Sequence, residues 1–463
     1  MDGFEYRGGE LYAEEVPVAA IAEAAGTPAY VYSAAAIRSA FGRLQRAFAP
    51  LRAILHYAVK ASANLHLLRL IRGLGAGMDV VSGGELERAW LAGTPMAQIV
   101  FAGVGKTDAE IRAALDGRFS PLAAEAERLC GRRTEGRGPV GMFNVESRSE
   151  LERLAAIAAE LGVRARACIR VNPDVDAHTH EYTTTGMDVN KFGIDAALVQ
   201  GLFDAFAGRP PLELAGLHVH IGSPVREVEP YVAAVRVLLG LIEELEAAGH
   251  RISALDLGGG WPVEYETGEA PPIEAYAGAL VPLLTDRVAD GLEVTLEPGR
   301  SIVADAGLLV TRVHHVKHGR RKRFVVCDAG MHTLIRPALY RAFHFVWPVR
   351  IDPRHLPPLR AARLDLPDLV PCDVVGPVCE SADFLARDRG LPEVARGDLL
   401  AVFSAGAYGM SMTSNYNDHP RPAEVLIDGA EALEINRRQP PAALLETELE
   451  PRALELSRQP KKR

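Results

Sequence analysis

The amino-acid sequence predicts an α/β protein: a (β/α)8 TIM-like barrel joined to a mostly antiparallel β-barrel or sandwich domain. Three observations carry that expectation. Between about residues 54 and 297, eight short β-rich runs alternate with helical patterns, as a (β/α)8 barrel requires. Nearly every run ends in a reactive side chain, which fits a fold whose active site lies at the C-terminal ends of its strands. Beyond about residue 305, β-rich runs follow one another without intervening helices.

The barrel strands are expected at 54–59, 78–81, 99–102, 141–146, 166–171, 215–220, 254–257 and 292–297. The first, Ile54-Leu55-His56-Tyr57-Ala58-Val59, runs into Lys60. Asp79 and Ser82 close the second, Asn144 and Glu146 the fourth, and Arg170 and Asn172 the fifth. His218, His220 and Ser223 follow the sixth, Gly258-Gly259-Gly260 the seventh, and Glu297-Pro298-Gly299-Arg300 the eighth. Singly, each reads more readily as a cap or turn residue; their joint placement on one rim is much harder to explain that way. Between the strands the pattern is helical: from Ser149 to Ile157, apolar side chains recur at helical spacing behind a capping serine.

Outside the barrel (residues 34–305), residues 1–33 and 306–430 are assigned to the β-rich second domain and 431–463 to a polar, proline-containing C-terminal segment with a mobile end. The run Ala29-Tyr30-Val31-Tyr32 precedes the barrel and is open to pairing with it.

Charge and cysteine usage narrow the function. Lys plus Arg number 51 against 60 Asp plus Glu, a net charge of -9 that argues against nucleic-acid binding. The five cysteines form no CxxC pair and no zinc-like spacing with histidine, so no metal is expected and free thiols in a reducing compartment fit best. No apolar run is long enough to span a bilayer, and Met1-Asp2-Gly3-Phe4-Glu5 is not the start of a signal peptide, so no membrane association and a cytoplasmic location are expected.

Lys60 stands out among the seven lysines. Lys317 and Lys322 lie in a basic run with Arg320, Arg321 and Arg323, Lys461 and Lys462 lie in the tail, and neither Lys106 nor Lys191 ends an apolar strand. A desolvated lysine at a barrel mouth has its ammonium pKa lowered and becomes an imine-forming amine toward an aldehyde such as pyridoxal 5'-phosphate. The alternative is an ordinary strand-end lysine whose head reaches water. The other needs of that cofactor are also met. Gly258, Gly259, Gly260 and the Gly299 turn offer backbone amides to a phosphate, though three glycines are more often a tight turn. Glu297 is placed to keep a pyridine nitrogen protonated, or else to pair with Arg300, and His220 to stack on the ring. His218 and His220 face the same side of their strand, so one of them is open to being packed core.

Several stretches together carry a family likeness. They include Tyr57-Ala58-Val59-Lys60-Ala61, Asp79-Val80-Val81-Ser82-Gly83-Gly84-Glu85-Leu86, His218-Val219-His220-Ile221-Gly222-Ser223 and Glu297-Pro298-Gly299-Arg300. Ile335-Arg336-Pro337-Ala338-Leu339-Tyr340, Gly376-Pro377-Val378-Cys379-Glu380-Ser381 and Gly406-Ala407-Tyr408-Gly409 continue the order through the second domain. Over roughly residues 27 to 430 the chain resembles the fold type III pyridoxal-phosphate decarboxylases, and within them the diaminopimelate decarboxylase family. The resemblance implies decarboxylation of meso-2,6-diaminopimelate to L-lysine and carbon dioxide. It implies that Lys60 holds the cofactor covalently, that His220 stacks on it and that Glu297 meets its ring nitrogen. Asp79, Ser223, Gly258, Gly259, Gly260, Gly299, Arg300 and Tyr408 are then further cofactor contacts. Arg300, Arg336, Tyr340 and Tyr408 are implied at the substrate's distal end, with Glu380 on its amino group. Cys379 is implied as the proton donor. The Cys379–Glu380 loop is implied to come from the neighbouring subunit of a homodimer with shared active sites; without the likeness, Cys379 reads as a small buried apolar residue.

Two departures from the family pattern stand out: a polar insertion at residues 118–140, expected as a surface excursion, and Trp261-Pro262 after the glycines. The competing readings are a sister decarboxylase acting on ornithine, lysine, arginine or carboxynorspermidine, an amino-acid racemase, and a non-catalytic homologue. The Arg336–Tyr340 stretch argues against the first, the Cys379–Glu380 loop against the second, and retention of Lys60 and Cys379 against the third.

Overall fold

The computed structural model describes residues 3–119, 138–177, 185–186 and 191–451. Strands β1 (Phe4–Arg7), β2 (Glu10–Ala13) and β3 (Val16–Pro17) form a small antiparallel sheet. It is tied to the second domain by the Leu11 amide, which donates to the Val349 carbonyl at 2.8 Å. Strand β4 (Ala29–Ser33) follows, and all five of its residues are buried.

Then comes the barrel. Strands β5 (Ile54–Ala58), β6 (Gly77–Val80), β7 (Ile99–Phe101), β8 (Met142–Val145), β9 (Ala165–Asn172), β11 (Leu212–His218), β12 (Ala254–Asp256) and β13 (Glu293–Leu296) are all parallel, and β10 (Ile194–Asp195) adds to β9. The ring closes where β13 meets β5, with Leu296 opposite Leu55. Every strand expected from the sequence is present, with ends differing by a few residues. Local chemistry starts the helices between them: Thr107 and Glu110 form a reciprocal capping box at Asp108–Asp116. The helix Arg148–Leu161 is capped by Ser147, which accepts from the Glu150 amide, two residues before the serine expected. Ser149 lies inside the first turn, and its hydroxyl instead meets that of Ser147.

The second domain is built on the long strand β14 (Gly307–His318). Its sheet runs β18 (Phe384–Leu391), β17 (Val370–Val375), β15 (Arg323–Cys327), β14, β4, β20 (Ala423–Asp428), β21 (Glu431–Asn436), with β19 (Leu399–Val402) joining β14 to β16 (Val346–Pro348). Pairing is antiparallel except for β15–β17 and β4–β20. The run at 29–32 therefore pairs with β14 and β20, not with the barrel. A run buried at every residue needs partners on both edges, and these two strands supply them. The sheet also continues past residue 430 through β21, where Leu426 faces Leu433. Among the described residues no helix is long and apolar enough to cross a membrane. Cys168, Cys327, Cys372 and Cys379 are free thiols, and Cys130 lies outside the described residues, as do most of the 118–140 insertion and the end of the C-terminal segment.

His56 on β5 makes one consequence of this packing measurable. Burial lowers its pKa from 6.5 to about 4, opposed only in part by Glu297, and its Nδ1 finds no hydrogen-bond partner among the described residues. As pH falls from 6.5 toward 4, the unfolded chain takes up a proton that the folded chain refuses, so this residue lowers stability across that window. Urea unfolding of the wild type against His56→Gln is expected to show the wild type losing up to about 1.4 kcal/mol per pH unit relative to the variant. Parallel pH profiles would mean that the folded state protonates His56 freely.

Candidate active site

Lys60 lies in a short 3-10 turn, Val59–Ala61, directly after β5, and its side chain is 33% exposed at the barrel mouth. Nζ donates to Asp79 Oδ2 at 2.6 Å, and Asp79 on β6 is fully buried. The expectation that burial alone would free the amine is corrected here. Desolvation does push the Lys60 pKa down, but the charges of Asp79 and Glu297 outweigh it, and the ammonium is held above its usual range. Burial and the Glu297 charge push the Asp79 carboxyl up to about 6, while the Lys60 charge opposes them, so the pair rests as an ammonium held against a carboxylate.

Deeper in the barrel sits a carboxylate pair. Asn144 Nδ2 donates to Asp256 Oδ2 at 3.1 Å and to Glu297 Oε1 at 3.0 Å, while His218 Nε2 lies 3.4 Å from Glu297 Oε2. Glu297 thus pairs with His218 rather than Arg300. The environments of the two acids differ. Burial, reinforced by the Glu297 charge, drives the Asp256 pKa well up, whereas His218 and Lys60 overcome the same burial at Glu297 and hold it low. Glu297 carries the negative charge and Asp256 the proton. The ligating atoms of His218, Asp256 and Glu297 lie within 4.8 Å of one another, but Asn144 presents an N–H to both acids where a cation would need lone pairs.

The glycines after β12 are required by space. A Cβ at Gly259 would lie 2.2 Å from the Glu297 carbonyl oxygen, and one at Gly260 2.2 Å from that of Gly222. The Gly259 amide donates to His220 Nδ1 at 3.1 Å. His220 must then be neutral, and burial together with Arg170 and Lys60 lowers its pKa accordingly. Tyr231 donates to the Gly259 carbonyl at 2.8 Å and stacks on Trp261 with centroids 4.4 Å apart. The unusual tryptophan therefore buttresses the glycine turn from behind.

On the other side, Arg300 donates through Nε and Nη2 to Ser223 Oγ, both at 3.2 Å, and through Nη1 to the Tyr265 hydroxyl at 2.7 Å. Its guanidinium lies 4.7 Å from the Tyr408 ring centroid, and that of Arg336 lies 4.6 Å from the Tyr265 ring. Ser223, Tyr265, Arg300, Arg336, Tyr340 and Tyr408 line a cavity of 440 Å³. The Tyr408 amide donates to the Ala61 carbonyl at 2.8 Å, which joins the cavity wall to the turn bearing Lys60.

Lys60, Asp79, His220, Ser223, the glycines, Glu297 and Arg300 thus stand at the barrel mouth, and Arg336, Tyr340 and Tyr408 reach the cavity there from the second domain. Cys379 and Glu380 do not. They are exposed on the loop between β17 and β18, where Cys379 Sγ lies 3.6 Å from Asn417 Oδ1 and Glu380 accepts from the Tyr416 hydroxyl. Ser82 serves as a helix cap, and Glu146 is paired with Arg170. Sequence reasoning missed Asp256, Tyr265 and His344. Asp256 carried a signal, two residues before Gly258 on an inward-facing strand position, whereas Tyr265 stands in an irregular loop that periodicity does not reach.

Residues 34–304 match the family model described as the pyridoxal binding domain of pyridoxal-dependent decarboxylases. The chain is 46% identical to a diaminopimelate decarboxylase of Pseudomonas aeruginosa over 95% of its own length and 97% of the relative's. It superposes with a TM-score of 0.84 on the diaminopimelate decarboxylase of M. jannaschii in complex with L-lysine, at 33% identity, covering 97% of this chain and 98% of that one. The Helicobacter pylori diaminopimelate decarboxylase, also complexed with L-lysine, gives 0.80 at 36% identity, with 93% and 99% covered. The barrel with its lysine rim and glycine turn belongs to a pyridoxal-dependent decarboxylase, a carbon–carbon lyase. Within that class, the chain belongs to the diaminopimelate decarboxylase family.

Proposed function

We infer that the protein converts meso-2,6-diaminopimelate to L-lysine and carbon dioxide, with pyridoxal 5'-phosphate as its cofactor. One observation carries the substrate assignment: Arg300 and Arg336 flank Tyr265 on the cavity that adjoins the Lys60 turn. The unreacting end of diaminopimelate bears a carboxylate, which suits guanidinium forks, whereas the distal end of ornithine is a bare cation that two guanidiniums repel.

The residues fit the cofactor. Asp79 Oδ1 lacks a partner among the described residues, and Glu297 is ionised while Asp256 is not. When bound, the cofactor supplies an aromatic electron sink for the bonding pair left behind by carbon dioxide. Lys60 is the residue that would hold it covalently, with Asp79 fixing the direction of Nζ through its hydrogen bond. Glu297, held ionised, would keep the ring nitrogen protonated, and neutral His220 would cover the ring without opposing that positive charge. Gly258, Gly259, Gly260, Gly299 and Ser223 take the phosphate. Arg300, Arg336, Tyr340 and Tyr408, which line one cavity, would hold the substrate's distal end and so fix its orientation. Cys379 would supply the proton that replaces carbon dioxide and Glu380 would bind the distal ammonium, both from the neighbouring subunit of a homodimer. The division into a barrel at 34–305 and a β domain from 1–33 and 306–430 belongs to the same reading, with the β domain carried on through β21. So does a cytoplasmic location, supported by the free thiols.

The test is carbon dioxide release by purified protein with pyridoxal 5'-phosphate, offering meso-diaminopimelate, ornithine, lysine and arginine side by side. Release from diaminopimelate alone is expected. A preference for ornithine or lysine would overturn the roles of Arg300 and Arg336 and leave the fold untouched.

A further inference from the structure

The two guanidiniums at the far end of the cavity do not hold themselves in place. Arg336 opens the short helix Arg336–Tyr340 and is only 5% exposed. A guanidinium has five N–H donors in a rigid fork and no acceptor, so each partner inside the protein fixes where the remaining donors point. Arg336 Nη1 donates to His344 Nε2 at 2.8 Å, and the other ring nitrogen of His344, Nδ1, lies 2.9 Å from the Phe403 carbonyl oxygen. Only one tautomer satisfies both contacts. The carbonyl can only accept, so Nδ1 carries the hydrogen; the guanidinium can only donate, so Nε2 carries a lone pair. Fully buried and fixed at both ends, His344 is a neutral acceptor. Burial, with Arg336 beside it, lowers its pKa far below the usual value and keeps it so.

Neutrality matters here. A carboxylate in the same place would also hold Arg336, but it would cancel the charge on the guanidinium before any ligand arrived. An imidazole lone pair satisfies one donor and leaves the full positive charge for the cavity. Tyr265 completes the frame. Its ring faces Arg336, its hydroxyl accepts from Arg300, and His344 packs edge-on against it with centroids 5.3 Å apart at 77°.

We propose that His344 and Tyr265 are positioning residues that set the aim and spacing of Arg336 and Arg300, so that the cavity selects a distal end bearing a carboxylate over one bearing only an amine. The proposal rests on the distal-end assignment made above and extends it to two residues that touch neither cofactor nor reacting atoms.

The experiment uses holoenzyme and three variants. His344→Leu removes the acceptor at similar volume, His344→Gln restores an acceptor oxygen, and Tyr265→Phe removes only the hydroxyl. The readouts are kcat and KM for meso-diaminopimelate, dissociation constants for L-lysine and for cadaverine, which lacks the carboxylate, and the visible absorbance of bound cofactor. For His344→Leu, KM and the L-lysine dissociation constant are expected to rise about tenfold to hundredfold, with kcat changed by less than about threefold. Cadaverine binding and cofactor absorbance are expected to stay as in wild type. His344→Gln should recover most of the loss, and Tyr265→Phe should show the same pattern with a smaller rise. Unchanged discrimination between L-lysine and cadaverine in both His344→Leu and Tyr265→Phe overturns the proposal. So does an equal loss of both ligands together with the cofactor, which marks a merely structural role. If wild type itself releases nothing from diaminopimelate and binds L-lysine no better than cadaverine, the distal-end assignment fails and takes this proposal with it.

Discussion

Replacing Lys60 by alanine is expected to lower carbon dioxide release from diaminopimelate by about four orders of magnitude or more, because both the covalent anchor and the nucleophilic amine go together. The same change leaves Asp79 buried without its partner. An ionised, unpaired carboxylate there would cost several kcal/mol, but burial already raises the Asp79 pKa, so the group escapes that cost by taking a proton. The variant should therefore fold. Lys60→Arg separates charge from chemistry: it keeps a cation against Asp79, yet a guanidinium stays protonated and forms no lasting bond to an aldehyde. The two variants are expected to be equally inactive and to lose the visible absorbance of covalently held cofactor, while their far-ultraviolet circular dichroism matches wild type. Activity in Lys60→Arg within tenfold of wild type would show that the residue serves as a charge and not as an anchor.

The barrel was legible because its signals are local and repeat. Apolar runs of strand length, each followed by a helical period, recur eight times, and the period of the pattern alone places most strand ends within a few residues. The rim could be read for the same reason, since a strand's last inward residue is fixed by counting. What the sequence hides are relations between elements. Nothing in the residues at 29–32 says that β14 and β20, hundreds of residues away in the chain, would supply both edges. Nor does a buried lysine announce whether its neighbours are charged, and the ion pair with Asp79 reverses the shift that burial alone would give. His344 escaped notice for a further reason: its role depends on a tautomer set by a carbonyl on another strand end, Phe403, and no spacing rule encodes that.

Mixing two inactive proteins is expected to restore activity. On the roles proposed above, every site of Lys60→Ala lacks the anchor and every site of Cys379→Ala lacks the proton donor. If each site takes Lys60 from one chain and Cys379 from the other, a heterodimer of the two variants has one intact site and one doubly damaged one. Random re-pairing of equal amounts makes half the dimers mixed, so about a quarter of wild-type specific activity should return. The proposed donation draws on the form of the loop bearing Cys379. Asp383, itself buried, accepts from the Met331 and Val378 amides and fastens the base of the loop, while Cys379 and Glu380 at its tip stay exposed. A fixed base with an exposed tip holds its shape before a partner arrives, and among the described residues the exposed acid and thiol bond to Tyr416 and Asn417, not to the barrel rim. The measurement is carbon dioxide release after the two variants are unfolded together and refolded, with each refolded alone as control. No recovery, despite mixed dimers confirmed by mass, would place Cys379 in the site of its own chain or outside the chemistry altogether.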